Sequence, residues 1–132
     1  MTKCLYFLFA GALASVVSAG HALAGGPIHS AEPAGSGWLG EAGTASYYGP
    51  AFHGRLAADG RPFDQMALTA AHPWLPFGTK VKVILAASGR TVVVTITDRL
   101  HSSRRIVDLS LGAARQLGML RCGIARVSLL PV

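Results

Sequence analysis

One acidic residue follows directly on a long apolar segment. The residues TVVVTIT (91–97) are all β-branched and lead straight into Asp98 and Arg99. A strand can simply end where charged residues begin. A rigid strand can also aim a carboxylate at a site, where a carboxylic acid gives up and retakes a proton as a general acid or base. The segment by itself leaves both interpretations open.

The other acidic residues are judged by their local sequence. Glu32 and Glu41 lie in a segment rich in Gly, Ala, Ser and Pro, and Asp59 precedes a glycine, which is typical of a turn. Asp108 comes just before a predicted helix, so helix capping is favoured over catalysis. Asp64 follows a phenylalanine in a loop and is the second candidate acid after the aspartate at the strand end.

The elements that would position these acids are short. Alternating or apolar runs predict strands at 43–49, 66–71, 79–85, 91–97, 104–110 and 123–132. The third and fourth strands form a hairpin whose turn contains Gly89. A helix is predicted over 110–119, with Ser110 or Asp108 capping its start and Gly118 ending it. Residues 50–64 and 72–78 are loops. Six strands and one helix fit a closed β-barrel, which leaves no strand edge open.

The N-terminal segment predicts export. Lys3 precedes an apolar core (5–17), and Ala22-Leu23-Ala24 has the small residues that a signal peptidase reads. We predict a signal peptide over 1–24, with cleavage after Ala22 as the second choice, a flexible leader over 25–42 and one domain over 43–132. The expected location is the periplasm or the exterior of a bacterial cell, with no membrane anchor after cleavage.

Charge and cysteine content narrow the class of protein. The full chain carries 12 Lys and Arg against 6 Asp and Glu, and loss of Lys3 leaves a formal charge of +5. A basic exported protein suits acidic polymers of the cell envelope. Nucleic acid is not an expected partner, because no helix-turn-helix, zinc spacing or basic helical stripe is present. Cys122 is interpreted as a small buried side chain.

From Gly43 onward the motifs resemble the RlpA-like double-psi β-barrel family. The resemblance rests on FHG (52–54), FD (63–64) followed by LTAAH (68–72), LPFGT (75–79), DR (98–99) after a long strand, and IVDLS (106–110). It implies a mainly β protein built as a six-stranded double-psi barrel with one or two short helices, related to expansin-like and barwin-like barrels. Family members commonly have a glutamate where this chain has Arg61, and glycine and proline where it has Leu100 and His101.

The resemblance also implies a function. It predicts a lytic transglycosylase that cleaves peptidoglycan glycan strands and leaves 1,6-anhydro ends. No cofactor is expected, and no metal, because no compact ligand spacing supports a zinc site built from His53, His72, His101 and Asp98. Cell-division proteins are further candidate partners. The alternative is a non-catalytic module that binds or loosens the wall polymer, as an expansin likeness allows and as Arg61 in place of the glutamate favours.

The site residues follow from the same motifs. The match at DR favours a catalytic role for Asp98. His72 of LTAAH is expected to orient or polarise that acid or to hydrogen-bond a sugar, although a histidine satisfied by the backbone before Pro73 is an equal alternative. We expect both in one groove. Candidate substrate-binding residues offer aromatic faces or polar groups to sugars; they are Tyr48, Phe52, His53, Asp64, Trp74 and Arg99. For His53, packing of its own loop is the competing interpretation.

Overall fold

The computed structural model describes residues 37–132. Its elements are β1 (Glu41–Tyr47), a 3-10 turn (Pro50–Phe52), β2 (Thr69–His72), β3 (Lys80–Leu85), β4 (Thr91–Arg99), β5 (Val107–Leu109), α1 (Leu111–Leu117) and β6 (Ala125–Pro131). Within this range no helix has the length and apolar character needed to cross a membrane. The predicted signal peptide and most of the predicted leader lie outside the described residues.

The six strands close into one barrel in the order β1-β5-β2-β4-β3-β6. β1 pairs in parallel with β5, and β2 pairs in parallel with β4. The remaining pairings are antiparallel. Closure gives every one of these strands a partner on both sides, so no described strand presents an open edge. The predicted mainly β barrel of six strands with a short helix is confirmed.

The β3–β4 hairpin shows how the sequence pattern builds the wall. Alternate residues of both strands point inward and are buried; they are Val81, Val83 and Leu85 of β3 and Val92, Val94 and Ile96 of β4. Gly89 has φ 73° in the predicted turn, where a residue without Cβ meets no steric penalty. The intervening side chains face outward, among them Lys80 and Lys82, which are exposed. The hairpin therefore contributes half of its side chains to the core and half to the outer surface.

Helix α1 closes one side of the barrel core. The side chain of Ser110 accepts a hydrogen bond from the Ala113 backbone N–H at 3.2 Å, so Ser110 is the N-cap. Gly118 ends the helix in the left-handed region, as predicted. A Cβ on Gly112 would stand 2.3 Å from the backbone oxygen of Met66, so only glycine lets the helix approach the chain before β2 this closely.

The structured domain begins before the predicted boundary at Gly43. β1 starts at Glu41, which pairs with Leu129 of β6. Trp38 packs against the core, with its ring 6.3 Å from that of His72. The local composition suggested a leader, but pairing with the last strand of the chain extends β1 two residues further back.

Two sequence-based interpretations are wrong in detail. Cys122 is exposed in the turn that follows α1, not buried, because the chain there runs over the surface toward β6. Asp108 does not cap the helix: it lies within β5, is buried, and the hydroxyl of Ser110 performs the capping instead.

Candidate active site

Asp98 lies at the end of β4, where the strand pairing shifts. Ala70 of β2 pairs with Ile96, but the next residue, Ala71, pairs with Asp98, so Thr97 is skipped. Such a bulge re-aims the side chains that follow it. The half-buried carboxylate of Asp98 accepts hydrogen bonds from three donors, and these fix its orientation.

The three donors come from three different parts of the chain. The Arg99 backbone N–H donates to Asp98 Oδ1 at 2.8 Å. The Ala58 backbone N–H donates to the same oxygen at 3.2 Å, and the Tyr48 hydroxyl donates to Oδ2 at 3.3 Å. The strand therefore delivers the carboxylate, the loop before β2 holds one oxygen, and the residue after β1 holds the other.

Tyr48 stands at the centre of the polar groups around Asp98. Its ring packs against Phe63 at 5.1 Å and Phe52 at 5.5 Å between centroids. Burial, followed by the negative charges of Asp98 and Asp108, raises the pKa of Tyr48 well above its usual range. The phenol therefore stays protonated and acts as a hydrogen-bond donor to the carboxylate.

Asp108 supplies a second carboxylate close to Tyr48. The Ser46 hydroxyl donates to Asp108 Oδ1, and Arg105 Nη1 donates to Ser46 Oγ at 2.8 Å. Arg105 Nη2 also lies 3.5 Å from Asp108 Oδ2. This network was not predictable from local sequence, because Ser46 and Asp108 are 62 residues apart and meet only when β1 pairs with β5.

The two carboxylates belong to strands that flank β2. Ala71 pairs with Asp98 on one side and with Asp108 on the other. Neighbouring strands lie about 4.8 Å apart, so the Cα atoms of the two aspartates are separated by roughly 10 Å. The barrel thus places two acids at the same level of its wall, one half-buried and one buried.

A groove adjoins Asp98 on the outer side of β4. It consists of two neighbouring cavities of about 260 and 290 Å³, and both are lined by Asp59, Arg61, Thr95 and Thr97. The Asp59 N–H donates to the Thr97 backbone oxygen at 3.1 Å, which docks the loop before β2 onto β4. Asp98 itself is not a lining residue: the groove comes close to it through Thr97, which precedes it, and through Ala57 and Asp59, which flank the Ala58 donor.

Turn hydrogen bonds occupy one oxygen of each loop aspartate. Asp59 Oδ1 accepts from the Arg61 N–H at 3.0 Å, which confirms the predicted turn. Asp64 Oδ1 accepts from the Met66 N–H at 2.9 Å, and Asp64 is exposed at one end of the groove. The predicted contact of Asp64 with substrate stays a prediction. His53 Nδ1 accepts from the Gln65 N–H at 3.2 Å, which fits packing of the loop itself.

His72 lies away from Asp98, and the expectation of a common groove is wrong. Their backbones are neighbours, since His72 pairs with Arg99. The imidazole, however, reaches Glu41 at the start of β1, with Nε2 2.7 Å from Oε1, whereas Asp98 binds Tyr48 just beyond the other end. Glu41 and Tyr48 are seven positions apart along an extended chain, a distance of about 20 Å.

The contacts of His72 fit the alternative in which backbone groups supply the hydrogen bonds of this histidine. Its Nδ1 accepts the N–H groups of Trp74 at 3.3 Å and Leu75 at 3.1 Å, so the hydrogen is on Nε2 and is donated to Glu41. The side chain is fully buried, and burial lowers the pKa of His72, although Glu41 opposes this effect. The neutral ring thus positions the connection after β2.

Arg99 and Trp74 also serve this connection. Arg99 Nη1 donates to the backbone oxygens of Leu75 at 2.7 Å and His72 at 3.3 Å, and the guanidinium lies 3.9 Å above the ring of Phe77. These contacts give Arg99 a structural role, and its predicted contact with substrate stays a prediction. Trp74 is 55% exposed and packs on His72 and Trp38, so one part of its ring remains open to a ligand.

The described residues contain no group of three or more His, Cys, Asp or Glu side chains arranged to hold a metal ion. The histidines are dispersed: His53 belongs to the loop before β2, His72 to the barrel interior, and His101 to the surface after β4. The groups available for chemistry near Asp98 are therefore the carboxylates of Asp98 and Asp108, the phenol of Tyr48 and the guanidinium of Arg105.

Comparison with protein families and curated proteins identifies related sequences. A family model described as lytic transglycolase matches residues 40–129. The chain is 53% identical over 88 residues to the probable endolytic peptidoglycan transglycosylase RlpA of Synechocystis sp., an alignment that covers 66% of this chain and 27% of that protein. It is 47% identical over 88 residues to the endolytic peptidoglycan transglycosylase RlpA of Campylobacter jejuni, covering 66% and 32%. The chain thus spans about a quarter to a third of the length of these relatives.

Solved structures show the same barrel in other settings. The apo expansin of Clavibacter michiganensis superposes with a TM-score of 0.56 at 26% identity, over 71% of this chain and 50% of that one. A Streptomyces papain inhibitor superposes with a TM-score of 0.55 at 27% identity, over 70% and 94%. These are the expansin-like and barwin-like barrels that the motifs implied.

Proposed function

Because this chain belongs to the lytic transglycolase family of double-psi barrels, we propose that its barrel cleaves the glycan strands of peptidoglycan. The observation that carries the proposal is the carboxylate of Asp98, held by three donors at the end of β4 and next to a groove. The naming of the two curated relatives as peptidoglycan transglycosylases supports the choice of substrate.

The proposed reaction needs one acid that works twice. Protonated Asp98 gives its proton to the glycosidic oxygen, and the bond from that oxygen to the anomeric carbon breaks. The Asp98 carboxylate then takes the proton of the C6 hydroxyl of the same sugar, while O6 bonds to the anomeric carbon. The products are a strand with a free hydroxyl end and a strand with a 1,6-anhydro end. No water is consumed, and Asp98 regains its proton.

The neighbours of Asp98 suit this cycle. Tyr48 and the Ala58 N–H keep the two carboxylate oxygens in place while the proton leaves and returns. Tyr48 itself does not compete for the proton, because its pKa is raised well above its usual range. Asp108 is tied to Ser46 and Arg105, so its charge acts on the site through Tyr48.

We also propose that the protein works in the bacterial cell envelope. Support comes from the apolar segment and small residues near Ala24 and from the positive charge of the chain. Mass spectrometry of the protein from a periplasmic extract would give its N-terminus. A protein that keeps Met1 and stays in the cytoplasm would contradict this location.

The test of the reaction is the soluble material released from purified sacculi. The natural protein should release fragments with anhydro ends, which are identified by their mass, one water lighter than hydrolysis products. Asp98→Asn is nearly isosteric, but its amide cannot donate and retake the proton. We expect it to reduce release to background, with circular dichroism, thermal unfolding and sacculus binding as controls for the fold.

The outcomes separate the two functional candidates. If Asp98→Asn still releases anhydro fragments at the natural rate, the role of Asp98 is refuted and Asp64 is the next acid to replace. If the natural protein binds sacculi and releases nothing, the non-catalytic wall-binding function is correct. The likeness to expansin and the presence of Arg61 in the groove are the observations that favour this second function.

A further inference from the structure

The groove beside Asp98 contains a cation whose charged group has no partner among residues 37–132. The Arg61 side chain lines both cavities, and its guanidinium makes no hydrogen bond or ion pair within residues 37–132. Its backbone is nevertheless fixed, because its N–H donates to Asp59 Oδ1 and its oxygen accepts from the Ala57 N–H at 2.9 Å. A planar fork of donors on a fixed loop is well suited to bind a carboxylate.

Positive charge continues from the groove onto the outer face of β3. Thr95, which lines both cavities, pairs directly with Lys80, so their side chains lie on the same face about 5 Å apart. Lys82 follows on that face two residues later, about 7 Å along the strand. Both lysines are exposed, and neither forms an ion pair in the described part of the chain.

The two acids of the groove are distributed unevenly between its cavities. Asp64 lines only the first cavity, whereas the second is lined by Phe77 and Gly78 and lies toward β3. Asp59 lines both, with one oxygen engaged by the turn. An anionic group would therefore be repelled at the first cavity and attracted at the second, which is lined by Arg61 and one carboxylate and lies beside the exposed Lys80 and Lys82.

The second cavity also has groups that suit a sugar ring. Phe77 is 42% exposed, and the guanidinium of Arg99 covers the ring at 3.9 Å from its centre. The part that faces the cavity offers an apolar surface to the carbon face of a sugar. The hydroxyls of Thr95 and Thr97 lie in the same lining and can donate to or accept from sugar hydroxyls.

We propose that the second cavity is a subsite for a sugar that bears a carboxylate, with Arg61 binding the carboxylate, Phe77 contacting the ring, and Lys80 and Lys82 extending the site toward the next acidic group of the polymer. This inference rests on the proposed function for the identity of the polymer. In peptidoglycan the carboxylate has two sources: the lactyl group of a peptide-free muramic acid residue, and the stem peptide of a substituted one.

The experiment compares charged and neutral glycans in a protein that cannot cleave them. Asp98→Asn serves as background, and calorimetry at low salt measures binding of three probes: peptide-free glycan fragments, peptide-bearing fragments, and chitohexaose, which has no carboxylate. We expect Arg61→Gln to weaken binding of at least one acidic probe by about tenfold, the loss of one charge-assisted hydrogen-bond pair. Chitohexaose binding should change less than twofold.

A matched variant controls for the loss of net charge. Arg115→Gln removes the same charge from an exposed position on α1 and should leave the affinity for all three probes nearly unchanged. Weakening for peptide-free fragments assigns the lactyl carboxylate, and weakening for peptide-bearing fragments alone assigns the stem. Equal affinities for Arg61→Gln and its parent, or equal losses for acidic and neutral probes, would overturn the subsite.

The proposed reaction and the subsite can fail separately. Binding is measured without turnover, so the two tests are independent. If the natural protein releases no anhydro fragments but Arg61→Gln weakens binding of the acidic probes, the proposed reaction is refuted and the subsite is supported. If the natural protein cleaves sacculi but Arg61→Gln binds every probe with the affinity of its parent, the reaction is supported and the subsite is refuted.

Discussion

The buried His72 makes the stability of the barrel depend on pH in a predictable direction. Burial lowers its pKa in the folded protein, while the unfolded chain has the ordinary value of about 6.5. Below that pH the unfolded chain binds more protons than the folded one, so the free energy of unfolding falls as the pH falls. Protonation of Nδ1 in the folded state would also break the hydrogen bonds from Trp74 and Leu75.

The size of the effect follows from the same linkage. If His72 stays neutral in the folded state between pH 7.5 and 5.5, the free energy of unfolding drops by about 1.4 kcal/mol over this interval. Glu41, 2.7 Å from Nε2, favours the protonated ring, so this figure is an upper bound. For a domain of this size the melting temperature should fall by about 6–10 °C.

Urea unfolding at the two pH values provides the assay, with His72→Asn as the matched variant. The asparagine Oδ1 can still accept from the backbone N–H groups after β2 but does not titrate in this range. His53 and His101 are present in both proteins, so their contributions cancel in the comparison. We expect the natural protein to lose up to about 1.4 kcal/mol more than the variant between pH 7.5 and 5.5.

An equal loss in both proteins would refute the reasoning. Glu41→Gln tests the same pair from the other side and does not disturb the ring. Without the negative charge, protonation of His72 is harder still, so the pH dependence should persist or increase. Loss of the pH dependence in this variant would contradict the assignment to His72.

Two further substitutions probe the polar groups around Asp98. Tyr48→Phe keeps the ring packing but removes one hydrogen-bond donor to Asp98. Because this bond is long at 3.3 Å, we assign it the lower end of the energy range for hydrogen bonds to charged acceptors, about 1.5 kcal/mol. We therefore expect about a tenfold lower kcat on sacculi. An unchanged kcat would show that the phenol does not orient the acid. Asp108→Asn should lower the free energy of unfolding by about 1–2 kcal/mol in urea titrations, since Arg105, 38% exposed, loses its anionic partner and keeps only Ser46. It should reduce kcat less than Asp98→Asn does, and an equal reduction would make Asp108 a second catalytic acid.

The barrel was predictable because its signals are local. Alternating residues in 79–85 and 91–97 predict the β3–β4 hairpin, and the structure places these strands at Lys80–Leu85 and Thr91–Arg99. The helix was bounded by Ser110 and Gly118, both of which act on their own backbone neighbourhood. The order of the strands in the barrel, in contrast, was implied only by the family motifs, because hydrophobic periodicity does not indicate which strands pair.

The site was less predictable because its contacts join distant parts of the chain. Glu41 was assigned to the leader from composition, yet closure against β6 makes it the partner of His72. Asp108 was read as a cap because a helix follows, whereas pairing with β1 turns it toward Ser46. One local feature pointed to the true role of Asp108: it lies three residues after Arg105 in a short apolar strand. This pattern is typical of a buried acid that is paired with a cation.

The long apolar strand that ends at Asp98 has a physical explanation in the closed barrel. β4 is buried on its inner side between β2 and β3, so its apolar residues fix the backbone up to Ile96. The skipped pairing at Thr97 then turns the strand, leaving Thr97 in the groove and Asp98 against Tyr48. A loop would allow the carboxylate many orientations, at a cost in entropy each time the site formed. The strand removes that cost in advance, which is why a change at the bulge should affect turnover more than binding.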